Sequence, residues 1–429
     1  MNIKKYFSWM AVALVAVSSA SLTSCKDEPD KFELTDGQPE VQYIRPGTLA
    51  ASDSLLTSAY MDAVICLVGN NLTSIREMWF NDQKAILNTS YITDHTLLVA
   101  VPGGIPEEVS DKIYMISTGN DTVTYDFHVI VPAPTVSTMS NEWAHAGEEV
   151  TINGDYFIDD PNVPLTVTFS DGKVADIVSI AKTQIVVKVP EGATEGKVTV
   201  ESIYGATKSK FQYADTRNIL FDFDGSHGGL TTGHGWRNGI VREADEHSID
   251  GGYLYFGGAD IAGGIGATWA EDQFCINYWP GDGAEPLSDR AEMAKMLSTY
   301  DISKLQYKFE VCVPKASPWR SAAMQIMFTS DDNVTYGNAQ NSYYGDTALP
   351  RGLWMPWQST GSYDTDDKWV TVSIPLANFN KTHEGQASDG KLDKTFFTGL
   401  TLFVWHGGVE GTDCSPEFYI DNIRVVPIE

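Results

Sequence analysis

The chain has 429 residues, 42% of them hydrophobic and 20% charged, with 37 Gly and 19 Pro. That length exceeds what one core usually organises, so several domains are expected, and the composition excludes a disordered or fibrous chain. A formal charge of -28 repels nucleic acid and anionic bilayer surfaces and leaves neutral or cationic ligands open.

Residues 1–24 read as an export signal. Lys4 and Lys5 form a positive start, Met10 to Val17 form an apolar run too short to span a bilayer, and small residues follow. The stretch Leu22, Thr23, Ser24, Cys25 resembles the bacterial lipobox. The resemblance implies that Cys25 is the lipid attachment site and the mature N-terminus, with several acyl chains holding the protein to a membrane. Lys26, Asp27 and Glu28 come next, and they resemble the acidic sorting signal of surface lipoproteins from glycan-degrading Gram-negative gut bacteria. This implies the outer face of the outer membrane; the competing reading is that the tripeptide is only solvated linker, and residues 25–36 are expected to be a linker in either case.

From about residue 37 to 215 the chain is short apolar strands separated by Gly, Pro, Asn and Asp, and one unit is written twice. ICLVGNNL, MWFNDQKA, TLLVAVP and KIYMIST are answered by VTINGDYF, VTFSDGKV, QIVVKVP and KVTVES. The matching residues Gly69 and Gly154, Phe80 and Phe169, and Pro102 and Pro190 stand 85 to 89 residues apart. Each unit is expected to be a sandwich of about seven strands, the first over residues 37–132 and the second over 133–215. The Gly-Asx turn with a nearby aromatic, the VxF strand and the strand ending in VxVP resemble the immunoglobulin-like IPT/TIG family, best in the second unit. In similar proteins such modules are spacers.

A different pattern opens at ILFDFDG, and residues 216–429 are expected to form a third domain. The segments LQYKFEVCVP, AMQIMFTS, KWVTVSIPL, GLTLFVW and EFYIDNIRVV read as strands. One helix is expected over 288–300, with Ala291, Ala294, Met296 and Leu297 on its apolar side. The fold class is therefore all-β: tandem immunoglobulin-like sandwiches followed by a C-terminal β-sandwich, jelly-roll-like. This half holds eight of the eleven tryptophans, so binding chemistry is expected here. Cys66, Cys275 and Cys312 read as buried strand positions and Cys414 as a loop residue; a bridge among the last three is left open.

The opening FDFDG, the KWVTVSIPL strand and the closing FYIDNIRV strand resemble the glycan-binding domain of bacterial surface glycan-binding proteins, of the xyloglucan type. That resemblance implies a flat aromatic platform stacking on the C–H face of a sugar, with amides and charged groups reading its hydroxyls. The adjacent pair Tyr278 and Trp279, in INYWPGDG, carries over from the family's adjacent Tyr-Trp, and its upstream tryptophan is Trp236 in GHGWRNG or, failing that, Trp269 in ATWAED. Neighbouring strand residues point to opposite faces, so both members of the pair meet ligand only if Pro280 marks a turn; one ring buried in the sandwich would dissolve the pair as a platform. Between Asn341 and Asp367 lie Tyr343, Tyr344, Trp354, Trp357 and Tyr363. For Trp354 and Trp357 two roles are open, glycan contact or pinning a long loop. A structural role is expected for Trp369 and a core role for Trp405.

Nothing in the sequence singles out an enzyme. The 57 acidic residues make a carboxylate pair easy to choose and therefore uninformative. There is no HExxH, GSHGG lacks the spacing of a GxSxG elbow, and GGADIAGGIG lacks a P-loop lysine. No cofactor or metal is expected, although Asp222, Asp224 and Asp421 are either turn acids or holders of a structural Ca²⁺. The expected function is non-catalytic capture of a neutral plant-type polysaccharide, a β-glucan such as xyloglucan or mixed-linkage glucan, at the cell surface. An outer-membrane glycan transporter and surface glycoside hydrolases are the expected partners. The alternatives are a divergent glycoside hydrolase and a surface adhesin.

Overall fold

A computed structural model describes residues 32–48, 54–224, 235–236, 240–264, 273–278, 285–330, 346–405 and 410–429. The chain divides into two compact units between Val131 and Pro132.

The first unit pairs β1 (Glu40–Pro46), β3 (Val64–Asn70) and β6 (Thr96–Ala100) in one sheet. A second sheet runs β5 (Gln83–Lys84), β4 (Ile75–Phe80), β7 (Lys112–Ser117), β8 (Thr122–Asp126). A parallel pair, β2 (Ser58–Tyr60) with β9 (His128–Ile130), completes the unit. The alternating apolar residues of these strands, among them Ile65, Leu67, Met78, Phe80, Leu97 and Met115, are buried between the sheets.

The second unit opens with the other copy. One sheet runs β10 (Thr135–Met139), β11 (Glu149–Asp155), β14 (Gln184–Lys188), β13 (Asp176–Ala181), and the other β12 (Thr166–Thr168), β15 (Thr199–Ser202), β16 (Gly205–Lys208). The repeat is physical as well as textual. In both copies the first strand carries a bulge, between Val41 and Tyr43 and between Val136 and Thr138, and a glycine faces it. A Cβ on Gly69 would lie 1.8 Å from the Glu40 carbonyl oxygen, and one on Gly154 would lie 1.8 Å from that of Thr135. Only glycine permits that approach. Two residues later each chain turns through positive φ, at Asn71 and Tyr156, and delivers Leu72 or Phe157 to the core. The core aromatics repeat as well: Phe80 meets Phe127 and Phe169 meets Tyr213, both edge to face.

The remainder is a sandwich of two larger sheets. In the six-stranded sheet β19 (Val241–Arg242), β20 (Tyr253–Phe256), β27 (Phe418–Pro427), β22 (Leu305–Cys312) and β25 (Val370–Pro375) are consecutive, and β17 (Ile219–Phe221) also pairs with β27. The five-stranded sheet runs β18 (Gly235–Trp236), β21 (Cys275–Tyr278), β26 (Gly399–Trp405), β23 (Ala323–Thr329), β24 (Gly352–Trp354). One apolar core, including Leu254, Phe309, Ile326, Leu402, Phe418 and Ile423, fills the space between them. Helix α1 (Ala291–Thr299) closes one side. It turns Met293, Met296 and Leu297 inward and leaves Ala291 and Ala294 exposed. The expected helix is therefore present, but its inward stripe follows the i, i+3, i+4 spacing from Met293. Among the described residues Cys275, Cys312 and Cys414 form no disulfide, so the bridge left open among them is not formed.

The outer face of the six-stranded sheet is where the second immunoglobulin-like domain docks. Lys308, Glu310 and Arg424 project from β22 and β27, and Glu142, from the loop between β10 and β11, reaches them. Lys308 Nζ donates to both Glu142 oxygens at 2.5 and 2.7 Å. Arg424 Nη1 donates to Glu310 Oε2 at 2.6 Å, while Nη2 reaches Glu310 Oε1 and Glu142 Oε2, each at 3.0 Å. All four side chains are at most 3% exposed. Thr371 ties the edges together: its Oγ1 donates to Glu310 at 2.9 Å and accepts the Glu142 N–H at 2.8 Å, and its N–H donates to Ser140 O at 2.8 Å. Burial pushes the Lys308 ammonium below its ordinary value and the Glu310 carboxyl above its own, which is the desolvation cost that the pairing must offset.

Beside this cluster Asp421 is fully buried, and its Oδ2 meets no donor among the described residues. Burial, then the neighbouring Asp250, pushes its carboxyl well above the usual carboxylate range. Asp224 has a different job, accepting the Gly252 N–H at 2.5 Å and so pinning the Gly251–Gly252 turn. Among the described residues no group of three or more His, Cys, Asp or Glu is arranged to hold a metal ion.

Two predictions follow from these buried charges. Replacing Arg424 with Met leaves Glu142 and Glu310 short of partners, and the expected loss is about 3–5 kcal/mol in urea unfolding; an unchanged midpoint would contradict the account. Asp421 is the opposite case. A raised folded-state pKa means its contribution to stability is full below the ordinary carboxylate pKa and lost as pH rises through the folded value. Asp421→Asn is therefore expected to raise the melting temperature at pH 8, with the gain shrinking toward pH 4.

Candidate functional site

The five-stranded sheet has two unlike faces, and the alternation of its strands decides which residue goes where. In β21 Ile276 and Tyr278 point into the core, and in β26 and β23 so do Leu400, Leu402, Val404, Met324, Ile326 and Phe328. The opposite face carries Cys275, Met327 and Phe403, packed together with Leu349 against them. Interleaved with these are polar residues: Asn277 on β21, Thr401 on β26, and Gln325 and Thr329 on β23, all buried.

The register places them in rows. Asn277 stands opposite Thr401, and Thr401 opposite Met327; Cys275 stands opposite Phe403, Phe403 opposite Gln325, and Gln325 opposite Leu353. Arg351, fully buried at the entry to β24, donates from Nη1 to Gln325 Oε1 at 2.9 Å, and Gln325 Nε2 reaches the His383 carbonyl at 3.5 Å. The Arg351 backbone is held by reciprocal bonds with Lys381 at 3.0 and 3.2 Å. The Thr401 hydroxyl, although buried, has no hydrogen-bond partner among the described residues. Amides, hydroxyls and a guanidinium set among apolar side chains are the groups that bind neutral hydroxylated ligands.

The expected site residues distribute unevenly over this frame. Trp236 lies on β18, in backbone register with Asn277. Tyr278 is a core residue, 3% exposed, stacked edge to face on Phe221 at 5.4 Å, with the Arg290 guanidinium 5.0 Å from its ring. Its hydroxyl donates to the Glu285 carbonyl at 2.8 Å. The expectation that Tyr278 and Trp279 form one shared platform is thus corrected: alternation along β21 sends Tyr278 inward. Trp279 and Trp269 lie outside the described residues, as do Tyr343, Tyr344 and Cys25.

Trp354 and Trp357 resolve in favour of pinning. Trp357 is buried, and its Nε1 donates to the Ala322 carbonyl at 2.8 Å. Trp354 packs on the core side, with ring centroids 5.4 Å from Phe309 and Trp319 and 5.5 Å from Tyr363. Neither belongs to the polar face. Trp369 Nε1 donates to the His247 carbonyl at 3.0 Å, and its ring packs against Tyr253, Cys312 and Tyr419. The Trp405 backbone pairs with Ala323. The polar residues of this face were not among the expected ones. Their signal was one polar residue inside each apolar strand motif: Asn277 in FCINY, Thr401 in GLTLF and Gln325 in AMQIM.

A two-sheet sandwich behind immunoglobulin-like domains, with one apolar core and one mixed polar outer face, has the architecture of a carbohydrate-binding protein. Residues 213–427 match the model of the surface glycan-binding protein B xyloglucan binding domain, and residues 134–216 match the IPT/TIG domain. The chain belongs to the surface glycan-binding protein B family. The crystal structure of surface glycan-binding protein B from Prevotella bryantii is 40% identical, covering 92% of this chain and 100% of that one, with a TM-score of 0.80. A corresponding protein from a complex xyloglucan utilisation locus of Bacteroides uniformis is 17% identical over 91% of this chain and 100% of that one, with a TM-score of 0.41. An IPT/TIG domain-containing protein of Bacteroides ovatus is 27% identical over 152 residues, 34% of this chain. That match spans only 30% of the relative's own length.

The placement of Tyr278 is testable through stability. Tyr278→Ala removes a packed aromatic and is expected to cost about 3–5 kcal/mol. Tyr278→Phe, which loses only the bond to Glu285, is expected to cost about 1 kcal/mol and to leave glycan retention in affinity gels unchanged. Loss of retention in the folded Phe variant would return the hydroxyl to the ligand.

Proposed function

We propose that the protein is a non-catalytic, surface-anchored binder of a neutral β-glucan of the xyloglucan or mixed-linkage type, and that the glycan lies on the outer face of the five-stranded sheet. The observation that carries this reading is the register of Trp236 with Asn277, in a chain whose C-terminal half matches the xyloglucan binding domain model. Trp236 and Trp279 supply the stacking surface, with Trp269 as the substitute for Trp236. Asn277, Thr401, Gln325 and Arg351, all buried, are the polar groups of that face. Stacking buries C–H area without burying hydroxyls, and neighbouring amides then select among hydroxyl patterns. Lipid at Cys25 holds the protein to the outer membrane. There it concentrates polysaccharide for a transporter and surface hydrolases, and many anchored copies acting on one chain gain avidity from weak individual sites. A charge of -28 does not oppose a neutral glycan.

Affinity electrophoresis against xyloglucan, mixed-linkage glucan and laminarin is the direct test. Wild type is expected to be retarded by at least one β-glucan, and Trp236→Ala and Trp279→Ala to lose at least tenfold in affinity, about 1.4 kcal/mol. No retardation by any of them would point to the adhesin alternative. Release of reducing sugar from the same polysaccharides would point to a hydrolase.

A further inference from the structure

The seam between the second immunoglobulin-like domain and the C-terminal sandwich encloses a cleft of about 570 Å³, within the range of roughly 300–1,000 Å³ typical of ligand sites. One wall is the turn before β11, with Asn141, His145 and Glu148, and the first residue of β11, Glu149; the other is the approach to β25, with Asp367, Lys368 and Trp369. We propose that this cleft is a second saccharide site, taking a short run of neutral β-glucan with Trp369 as its stacking surface. The ligand class rests on the glycan-binding reading above; the place does not, since none of these residues belongs to the outer face of the five-stranded sheet.

Three features carry the inference. The first is the state of the indole. Trp369 is half-buried, braced by Tyr253, Cys312 and Tyr419, and its only polar atom is already spent on the His247 carbonyl at 3.0 Å. What remains to line the cleft is apolar ring, fixed in advance, so a ligand stacking there loses little rotamer entropy in ordering it.

The second is the rim. Glu148, Glu149, Asp367 and Lys368 are exposed, offering three carboxylates as acceptors and one ammonium as donor to hydroxyls. Three carboxylates to one ammonium disfavour an anion, and a chain carrying -28 overall adds no attraction for one.

The third is that the walls do not have to be brought together. The Glu142, Lys308, Glu310 and Arg424 cluster and the bonds of Thr371 to Ser140 and Glu142 clamp the two domains directly beside the opening. The cleft is therefore a standing feature rather than one closed by the ligand.

The test uses the full protein with labelled tryptophan indoles, the Trp369 resonance being assigned by Trp369→Phe, titrated with cellohexaose and a xyloglucan heptasaccharide. The Trp369 signal is expected to shift saturably in wild type and equally in the Trp236→Ala/Trp279→Ala double variant. The rim variant Glu149→Ala/Lys368→Ala is expected to weaken that response about tenfold with an unchanged melting temperature. If other indoles respond while Trp369 stays still, the cleft is only a structural seam and the proposal falls while the sheet-face reading stands. A Trp369 response that the rim variant leaves unaltered overturns the proposed contacts. Silence of every indole overturns both readings together.

Discussion

Four buried charges set the geometry of the larger unit. Glu142, Lys308, Glu310 and Arg424 balance to zero, yet each is almost wholly removed from water, and the depressed ammonium of Lys308 and elevated carboxyl of Glu310 register the cost. Such a cluster is a poor source of net stability, because apolar residues of similar volume would serve as well. Its value lies in direction. Hydrogen bonds to carboxylates tolerate little misalignment, so the loop from Ser140 to Glu142 can sit on β22, β25 and β27 in one register only. The cleft and the attitude of the immunoglobulin-like domain toward the sandwich both descend from that constraint.

Much of the fold was legible because its determinants are local. The repeat showed in spacing, and the structure gives the reason: Gly69 and Gly154 each sit where a carbonyl leaves no room for a side chain, so those positions cannot drift in identity. Strand segments such as LQYKFEVC and FYIDNIRVV announce themselves by apolar content, and both are buried almost throughout. Helix α1 was legible in extent but not in face, because Ala tolerates either side and only the spacing from Met293 separates them.

The site was less legible, and Tyr278 shows why. Pro280 and Gly281 nearby suggested exposure, but whether a strand residue faces ligand or core is settled by parity along the strand and by the partner strand, which is a non-local fact. Phe274, Ile276 and Tyr278 share parity, but only packing against the partner strands shows that this set faces the core and Asn277 the opposite side. Trp354 and Trp357 were undecidable for a related reason. Their loop is as rich in Gly, Pro and Asp as a binding loop would be, and only the contacts to Ala322, Phe309 and Trp319 distinguish an anchor from a platform.

The buried quartet also bears on how such a protein changes over generations. Removing any one of its members strands a charge in a dry seam, whereas exchanging all of them for apolar residues would be tolerated. Single substitutions are thus closed off while the concerted exchange is open but rare. The immunoglobulin-like domain and the sandwich it abuts are expected to be inherited and shuffled as one piece, with sequence divergence collecting in the loops and not at the joint.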